Sequence, residues 1–442
     1  MIKKVLIANR GEIAVRVVRA LRAMSIKSVC VYSTADKDGL WNKLADECIC
    51  IGSEKACDSY LNINNIISAA IHSHCDAIHP GVGFLSESAE FVDIVEKSGL
   101  IFIGPNKETI NLLGNKIEAR ILAQKAGLDV TPGSFKEVES VAELKTLAHE
   151  LGYPIILKAS LGGGGKGMRV ITNDGDLETN FNIAREEANK FFANPSIHVE
   201  KFLTHPRHIE IQLLSDGKNV LFLGERDCSV QKNHQKLIEE SPSNVVNQKL
   251  RNKLKIASTN LFKLLNYQGA GTIEFLLEDD NCYFMEVNAR VQVEHPVSEF
   301  VSSIDIIKEM VKISGKANSK VMNENPILRN HSMEVRINAL SCGKITKFNP
   351  PLGPSVRVDT HIYTGYNVSP YYDSMLAKII VYTNNRQESI KTLLSCLTEL
   401  EIEGIQTNKD IIIKILKNKK FVSGKFDTSL YKEMEKDLKW KI

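Results

Sequence analysis

No stretch of this 442-residue chain is apolar for long enough to cross a bilayer, so a membrane-spanning helix is not expected. A surplus of one charge is missing too. Lys and Arg number 56 against 53 Asp and Glu, a formal +3, and no basic tract stands out, so nucleic acid is not the expected partner. Cysteines at metal-binding spacing are also lacking. None of the nine falls in a CxxC pair, and Cys48 and Cys50 stand too close together for a zinc site, so free thiols in a reducing cytoplasm are expected. Tandem repeats and low-complexity tracts are absent, which excludes a solenoid or a disordered array. The opening "MIKKVLIANRGEIAV" is basic, but Asn9, Arg10 and Glu12 interrupt its apolar run, so it does not read as a signal peptide. What remains is a composition of 43% hydrophobic and 25% charged residues, that of a soluble chain of two or three domains.

"KKVLIANRGEIAVRVVRALRAMSIKSVCVYS" reads as strand, loop, helix, strand, with Val5–Ala8 and Lys27–Tyr32 as the strands and Glu12–Met24 as the helix. Such a βαβ opening implies a parallel sheet. Arg16, Arg19 and Arg22 form a stripe along that helix, expected to be a solvated face. The pattern continues through "DAIHPGVGFLSE" and "LIFIGPN". The chain divides into an N-terminal Rossmann-like unit (1–113), a helical linker (114–130), a small glycine-rich α+β lid (131–203) and a C-terminal unit (204–442) ending in helices. The fold class expected is α/β in three domains.

Three local patterns carry chemistry. "KASLGGGGKGMRV" sets Gly162–Gly165 between two strand-like runs, where backbone amides can approach phosphates. It is not a Walker A loop, because Met168 follows Gly167 where lysine and a hydroxyl are needed. Lys158, at the end of the apolar run "PIILK", can add a point charge to phosphate oxygens, with a snorkelling surface lysine as the plainer alternative. Second, "GTIEFLLEDDNCYFMEVN" reads as a hairpin. With its turn centred on Asp280, Glu274 lies opposite Glu286, and Asn288 is one step along that face. Like charges across two strands are destabilising, and a hard cation such as Mg²⁺ between them removes that cost. Third, "MEVNARVQVEHPVSE" alternates Glu286, Asn288, Arg290, Gln292 and Glu294 with apolar residues, the pattern of one continued strand. His79 is expected to shape a turn and Cys228 to be a small packed residue.

Together with "HPGVGFLSE", "GERDCSVQKNHQKLIEE", "RINA" and "PYYDSM", these patterns closely resemble the biotin carboxylase subunit or domain of biotin-dependent carboxylases, of the ATP-grasp superfamily. The resemblance runs in order from about residue 2 to residue 430, and leaves no room for a carboxyltransferase or biotinyl domain. It implies that Lys116, Lys158, Gly164, Gly165, Glu200, Lys201, Phe202, Leu203, His208 and His234 bind ATP, with Glu274 and Glu286. Glu274, Glu286 and Asn288 become the metal ligands, for Mg²⁺ or alternatively Mn²⁺. Lys236, Arg290, Gln292 and Val293 hold bicarbonate, Glu294 is the general base, and Arg336 faces biotin. Bicarbonate is phosphorylated by ATP to carboxyphosphate, and its CO₂ is passed to N1′ of biotin on a biotin carboxyl carrier protein. The implied partners are that carrier, carboxyltransferase subunits and a second copy of the chain. The implied setting is acetyl-CoA carboxylase, at the start of fatty acid synthesis. Alternatives are a pyruvate or other acyl-CoA carboxylase, a carboxylate–amine ligase, and a non-catalytic nucleotide-binding paralogue.

Two departures from the family pattern bear on the biotin side. Val82 replaces the tyrosine of "HPGYGFLSE", and only Leu340, Ser341 and Cys342 bridge "RINA" to "GKIT", where relatives carry a longer acidic-proline segment.

Overall fold

The computed structural model describes residues 2–160, 168–324 and 326–438. Its first layer is a five-stranded, all-parallel sheet. The strands run in the order Glu47–Gly52, Lys27–Ser33, Lys4–Ile7, Ala77–His79, Ile101–Phe102. The crossover helix Gly11–Ala23 follows the first strand, as the βαβ pattern predicts. Its arginine stripe is not uniformly solvated. Arg19 and Arg22 are exposed, but Arg16 is buried against Glu299 (2.8 Å) and Asp305 (2.6 Å). Those acids lie far along the chain, so local periodicity carried no sign of them.

The second layer is an eight-stranded antiparallel sheet. It runs in the order Asn281–Asn288, Gln268–Glu278, Arg207–Asp216, Val220–Lys232, Gln235–Ser241, His331–Asn338, Met375–Thr383, Val356–Thr360. One apolar cluster joins the two layers, with Leu6, Ile78 and Phe91 packed into the same core as Ile209, Phe275 and Phe284. Each such side chain withdrawn from water contributes about 1.5–3 kcal/mol. The first layer is therefore a wall of the second. The helices Arg386–Glu399 and Lys409–Lys417 cover the far half of the large sheet.

The lid has a core of its own. Strands Met168–Ile171, Ile155–Ala159 and Ile197–Lys201 form a three-stranded sheet, backed by helices Val141–Leu151 and Leu177–Phe192. Leu144, Ile155, Leu157, Phe181 and Ile197 make up its buried centre. Among the described residues no helix is long and apolar enough to cross a membrane.

The strand expected to run on through Glu294 ends at Asn288. Residues 289–294 form a loop, and Glu294 becomes the N-cap of the short helix His295–Ser302, which has Pro296 in its first turn. The apolar–polar alternation there reflects a loop packed on both sides, since Ala289, Val291, Gln292 and Glu294 are all buried. The expected hairpin is present, and its register depends on an irregularity. The turn pairs Glu278 with Asn281 and Phe275 with Phe284, which would set Glu274 against Met285. A bulge between Glu274 and Phe275 moves Glu286 opposite Glu274 instead.

Candidate active site

Lid, parallel layer and antiparallel sheet enclose a cleft of about 1600 Å³. Every site residue expected from the sequence and lying among the described residues lines it, from Lys116 and Lys158 to Glu294 and Arg336. Gly164 and Gly165 lie outside the described residues.

Register builds the floor. Glu286 is opposite Glu274, Glu274 is opposite Glu210, and Glu210 is opposite Arg226. Three carboxylates thus stand in one row across adjacent strands, an arrangement that is stable only with cations beside it. Lys236 supplies one. Its ammonium donates to Glu274 (2.9 Å), to Glu294 (2.7 Å) and, closest of all, to Glu210. Burial opposes the charge on Lys236, yet Glu210, Glu274 and Glu294 hold its pKa well above the ordinary lysine value. His208 is a second cation. Its Nε2 lies 3.0 Å from Glu274, and although burial pushes its pKa down, Glu274 and Glu210 bring it up to about 9. Arg226, wholly buried, is the third, donating to Glu210 (2.8 Å), Gln292 (2.8 Å) and Ser298 (2.8 Å).

Glu286 differs from its neighbours. Its carboxylate makes no hydrogen bond or ion pair among the described residues. Burial and the facing Glu274 raise its pKa, with Lys116 opposing. An under-compensated carboxylate opposite a second one fits a hard divalent cation. Asn288 donates its amide to Glu274 (2.8 Å) and accepts from Arg290 (2.8 Å), so its oxygen would have to turn from Arg290 to ligate an ion.

The residues expected to hold bicarbonate, Lys236 apart, sit at the loop after the hairpin. Arg290 donates to Glu87 (2.8 Å), whose other oxygen accepts from the Ala289 amide (2.9 Å). Gln292 donates to Glu274 (2.7 Å), and the Val293 carbonyl accepts from the buried Lys378 (2.6 Å). Glu294 lies between two cations, Lys236 and Arg336 (2.9 Å). Burial pushes its pKa up, but Lys236 and Arg336 outweigh that and hold it down at about 2, so it is ionised at neutral pH. Arg336 also donates to Glu239 (2.6 Å).

On the lid side, Lys158 is buried and donates to Glu200 (2.7 Å), which removes the snorkelling alternative. Glu200 also holds Arg120 (2.9 Å) and His198 (2.9 Å). The Lys201 ammonium is taken by the carbonyls of Gly152 (2.9 Å) and Tyr153 (3.0 Å), and Phe202 and Leu203 follow it along the rim. His234 is exposed at a tight turn, where it and Asn233 adopt positive φ of 64° and 50°. His79 accepts from the Gly81 amide (3.0 Å), shaping the turn as expected. The buried Cys228 thiol has a pKa raised well above the usual value, first by burial, which suits a packed residue.

Sequence reasoning gave no role to Glu87, Glu210, Arg226 or Glu239. Each lies inside a quoted motif or, for Glu210, at a two-residue spacing from His208 and Gln212 on one strand face, and that spacing was the available signal.

Comparison with known proteins agrees with this geometry. Residues 1–110 match the family described as "Biotin carboxylase, N-terminal domain", and residues 334–433 match "Biotin carboxylase C-terminal domain". Residues 115–320 match "Carbamoyl-phosphate synthase L chain, ATP binding domain". Biotin carboxylase 1 of Bacillus subtilis is 45% identical, over 97% of this chain and 98% of that protein. The crystal structure of a biotin carboxylase–β,γ-ATP complex from Campylobacter jejuni superimposes with a TM-score of 0.95 at 45% identity, covering 98% of this chain and 99% of that one. The biotin carboxylase domain dimer of Hydrogenobacter thermophilus 2-oxoglutarate carboxylase, in complex with MgADP and bicarbonate, also gives 0.95, at 38% identity over 100% and 99% of the two chains. With this architecture and these matches along nearly its whole length, the chain belongs to the biotin carboxylase family, ATP-using ligases of the ATP-grasp superfamily.

Proposed function

We propose that this chain uses Mg·ATP and bicarbonate to carboxylate N1′ of biotin carried on a separate protein, and that it serves an acetyl-CoA carboxylase. The observation carrying the reading is Glu294, an ionised carboxylate gripped by Lys236 and Arg336 at the wall of the cleft. With a pKa of about 2, it is a poor proton acceptor while both cations hold it. A bicarbonate anion among Lys236, Arg290 and Arg336 draws those cations onto itself, and Glu294 gains basicity as it loses them. Binding of the substrate thereby switches on its base.

Glu294 then takes the bicarbonate proton as a bicarbonate oxygen bonds to the γ-phosphorus and the bond to ADP breaks. Carboxyphosphate falls apart to CO₂ and phosphate. Phosphate removes the N1′ proton of biotin, Arg336 stabilises the negative ureido oxygen, and N1′ attacks CO₂. Lys116 and Lys158 serve the phosphates from the lid side. Mg²⁺, or Mn²⁺, held at Glu274 and Glu286 supplies neutralising charge to the transferring phosphoryl group.

Support for the acetyl-CoA assignment is a gradient of likeness. Proteins named simply biotin carboxylase reach 45% identity, whereas the domain of the 2-oxoglutarate enzyme reaches 38% and two pyruvate carboxylases reach 37% and 40%. The dimeric Hydrogenobacter domain supports a homodimer here as well.

The test is ATP hydrolysis with Mg²⁺, with and without bicarbonate and biotin, beside Glu294→Gln. Turnover should require bicarbonate, rise with biotin, and fall by about 10²–10⁴ in the variant. ATP binding without consumption would instead favour a nucleotide-binding scaffold. Carboxyl transfer to acetyl-CoA but not pyruvate, with carrier and carboxyltransferase added, checks the acceptor.

A further inference from the structure

Behind Arg336, on the side away from the cleft, lies a pair of carboxyl groups that the reaction above does not use. Glu239 and Glu334 are directly opposite each other on neighbouring antiparallel strands, and both are fully buried. Glu239 accepts from Arg336 through Oε1 (2.6 Å), and its Oε2 is buried without a hydrogen-bond partner. Both oxygens of Glu334 are buried and unpartnered too. Two ionised carboxylates in this arrangement would repel across the strands with no water to screen them. The groups facing them are Lys236 on the strand of Glu239, Arg336 on that of Glu334, Lys378 on the next strand, Glu294 from the loop, and the neutral thiol of Cys228.

We propose that Glu239 is a positioning residue for carboxylation: it fixes the Arg336 guanidinium from behind, in register with Glu294 in front, while Glu334 stays a neutral acid. The inference rests on the reading of Arg336 as the residue that faces biotin. Arg336 is pinned at two points, Nε to Glu239 and Nη2 to Glu294. When bicarbonate draws the guanidinium off Glu294, Glu239 is the carboxylate that remains to orient it. Burial raises the pKa of Glu239, and Arg336 pulls it back only to about 7. Burial holds that of Glu334 well above the ordinary carboxylate value, though Lys378 opposes. Glu239 is therefore protonated more readily than an ordinary carboxyl, and the grip on Arg336 weakens as the pH falls.

The experiment measures the ratio of biotin-stimulated to biotin-free ATP turnover from pH 6 to 9, which cancels changes in bicarbonate speciation. In the unaltered protein the ratio should rise with pH around 7. Glu239→Gln should lower it about tenfold at pH 8 and remove the rise. Glu334→Gln should keep both. If Glu239→Gln does not fold, Glu239→Asp replaces it. Its carboxylate is withdrawn from Arg336, so the ratio should drop while a rise with pH persists. A rise that survives in Glu239→Gln, or disappears in Glu334→Gln, overturns the assignment. Arg336→Ala tests the underlying reading separately. If biotin stimulation survives there, Arg336 does not face biotin, whatever Glu239 does.

Discussion

The floor of the cleft and its lid solve the same problem, buried charge, in opposite ways. On the floor, carboxylates outnumber single partners and are held in a mesh. Lys236 alone bridges Glu210, Glu274 and Glu294, and Arg226 and His208 close the gaps behind it. On the lid, one acid is surrounded by bases. Glu200 gathers Lys158, Arg120 and His198, the last kept neutral because burial pushes its pKa below the ordinary value. The floor is thus an acid-rich lattice ready for a metal ion and a proton transfer. The lid is cation-rich and ready for phosphates. They face each other where Glu286 meets Lys116, each shifting the other's pKa.

The largest expected effect comes from breaking the mesh. Arg226→Met leaves Glu210 and its neighbours under-compensated in a site with no exposure, and should lower unfolding stability by about 3–5 kcal/mol. Denaturant titration reads this directly. A loss below about 1 kcal/mol would mean that Lys236 carries the row alone, and that the floor is no more a lattice than the lid.

Next in size is the lid. Glu200→Gln strands Lys158 and Arg120 together, and should cost about 1–3 kcal/mol in the free protein. ATP, whose phosphates replace the lost negative charge, should recover part of that cost, which no ligand does for Arg226→Met. The pH dependence follows with its sign. Burial raises the Glu200 carboxyl, but Lys158, His198 and Arg120 prevail and set its folded pKa far below the ordinary 4.5. Its contribution to stability is fully present above 4.5 and is lost as the pH falls towards the depressed value. A thermal-melt series from pH 7 to 3 should therefore show a steeper acid decline in the unaltered protein than in Glu200→Gln.

The two regions also differ in how much of them the sequence disclosed. The two strands that flank the glycine run in the lid and the Glu274–Glu286 hairpin are local features, and local patterning was enough to anticipate them. The hairpin came out right although its turn lies half a residue from the centre assumed, because the bulge makes up the difference. What escaped notice depends on contacts between distant segments. Glu87 meets Arg290 across 203 residues, and Arg16 meets Glu299 across 283. The pairing of Glu210 with Glu274 needs the order of strands in the sheet, which no single strand carries. Residues 289–294 misled for a further reason. A loop buried on both sides can imitate the alternation of a strand, and only Pro296 marked the break.

The smallest expected effect concerns the parallel layer, the third wall. Val82 is half-buried in the cleft lining, and its carbonyl is fixed by the Asn9 amide (2.7 Å). The Val82 side chain packs at the edge of the parallel layer's core and also lines the cleft, so a larger side chain there extends towards the cleft. Val82→Tyr restores the ring and hydroxyl of the family pattern, and should lower the KM for biotin by a factor of a few, about 0.5–1 kcal/mol. The KM for ATP should not follow, because Lys116, Lys158 and Glu200 lie on the lid side of the cleft. A shift in both constants would mean that the parallel layer shapes the whole cleft, and that floor and lid do not divide the work between them.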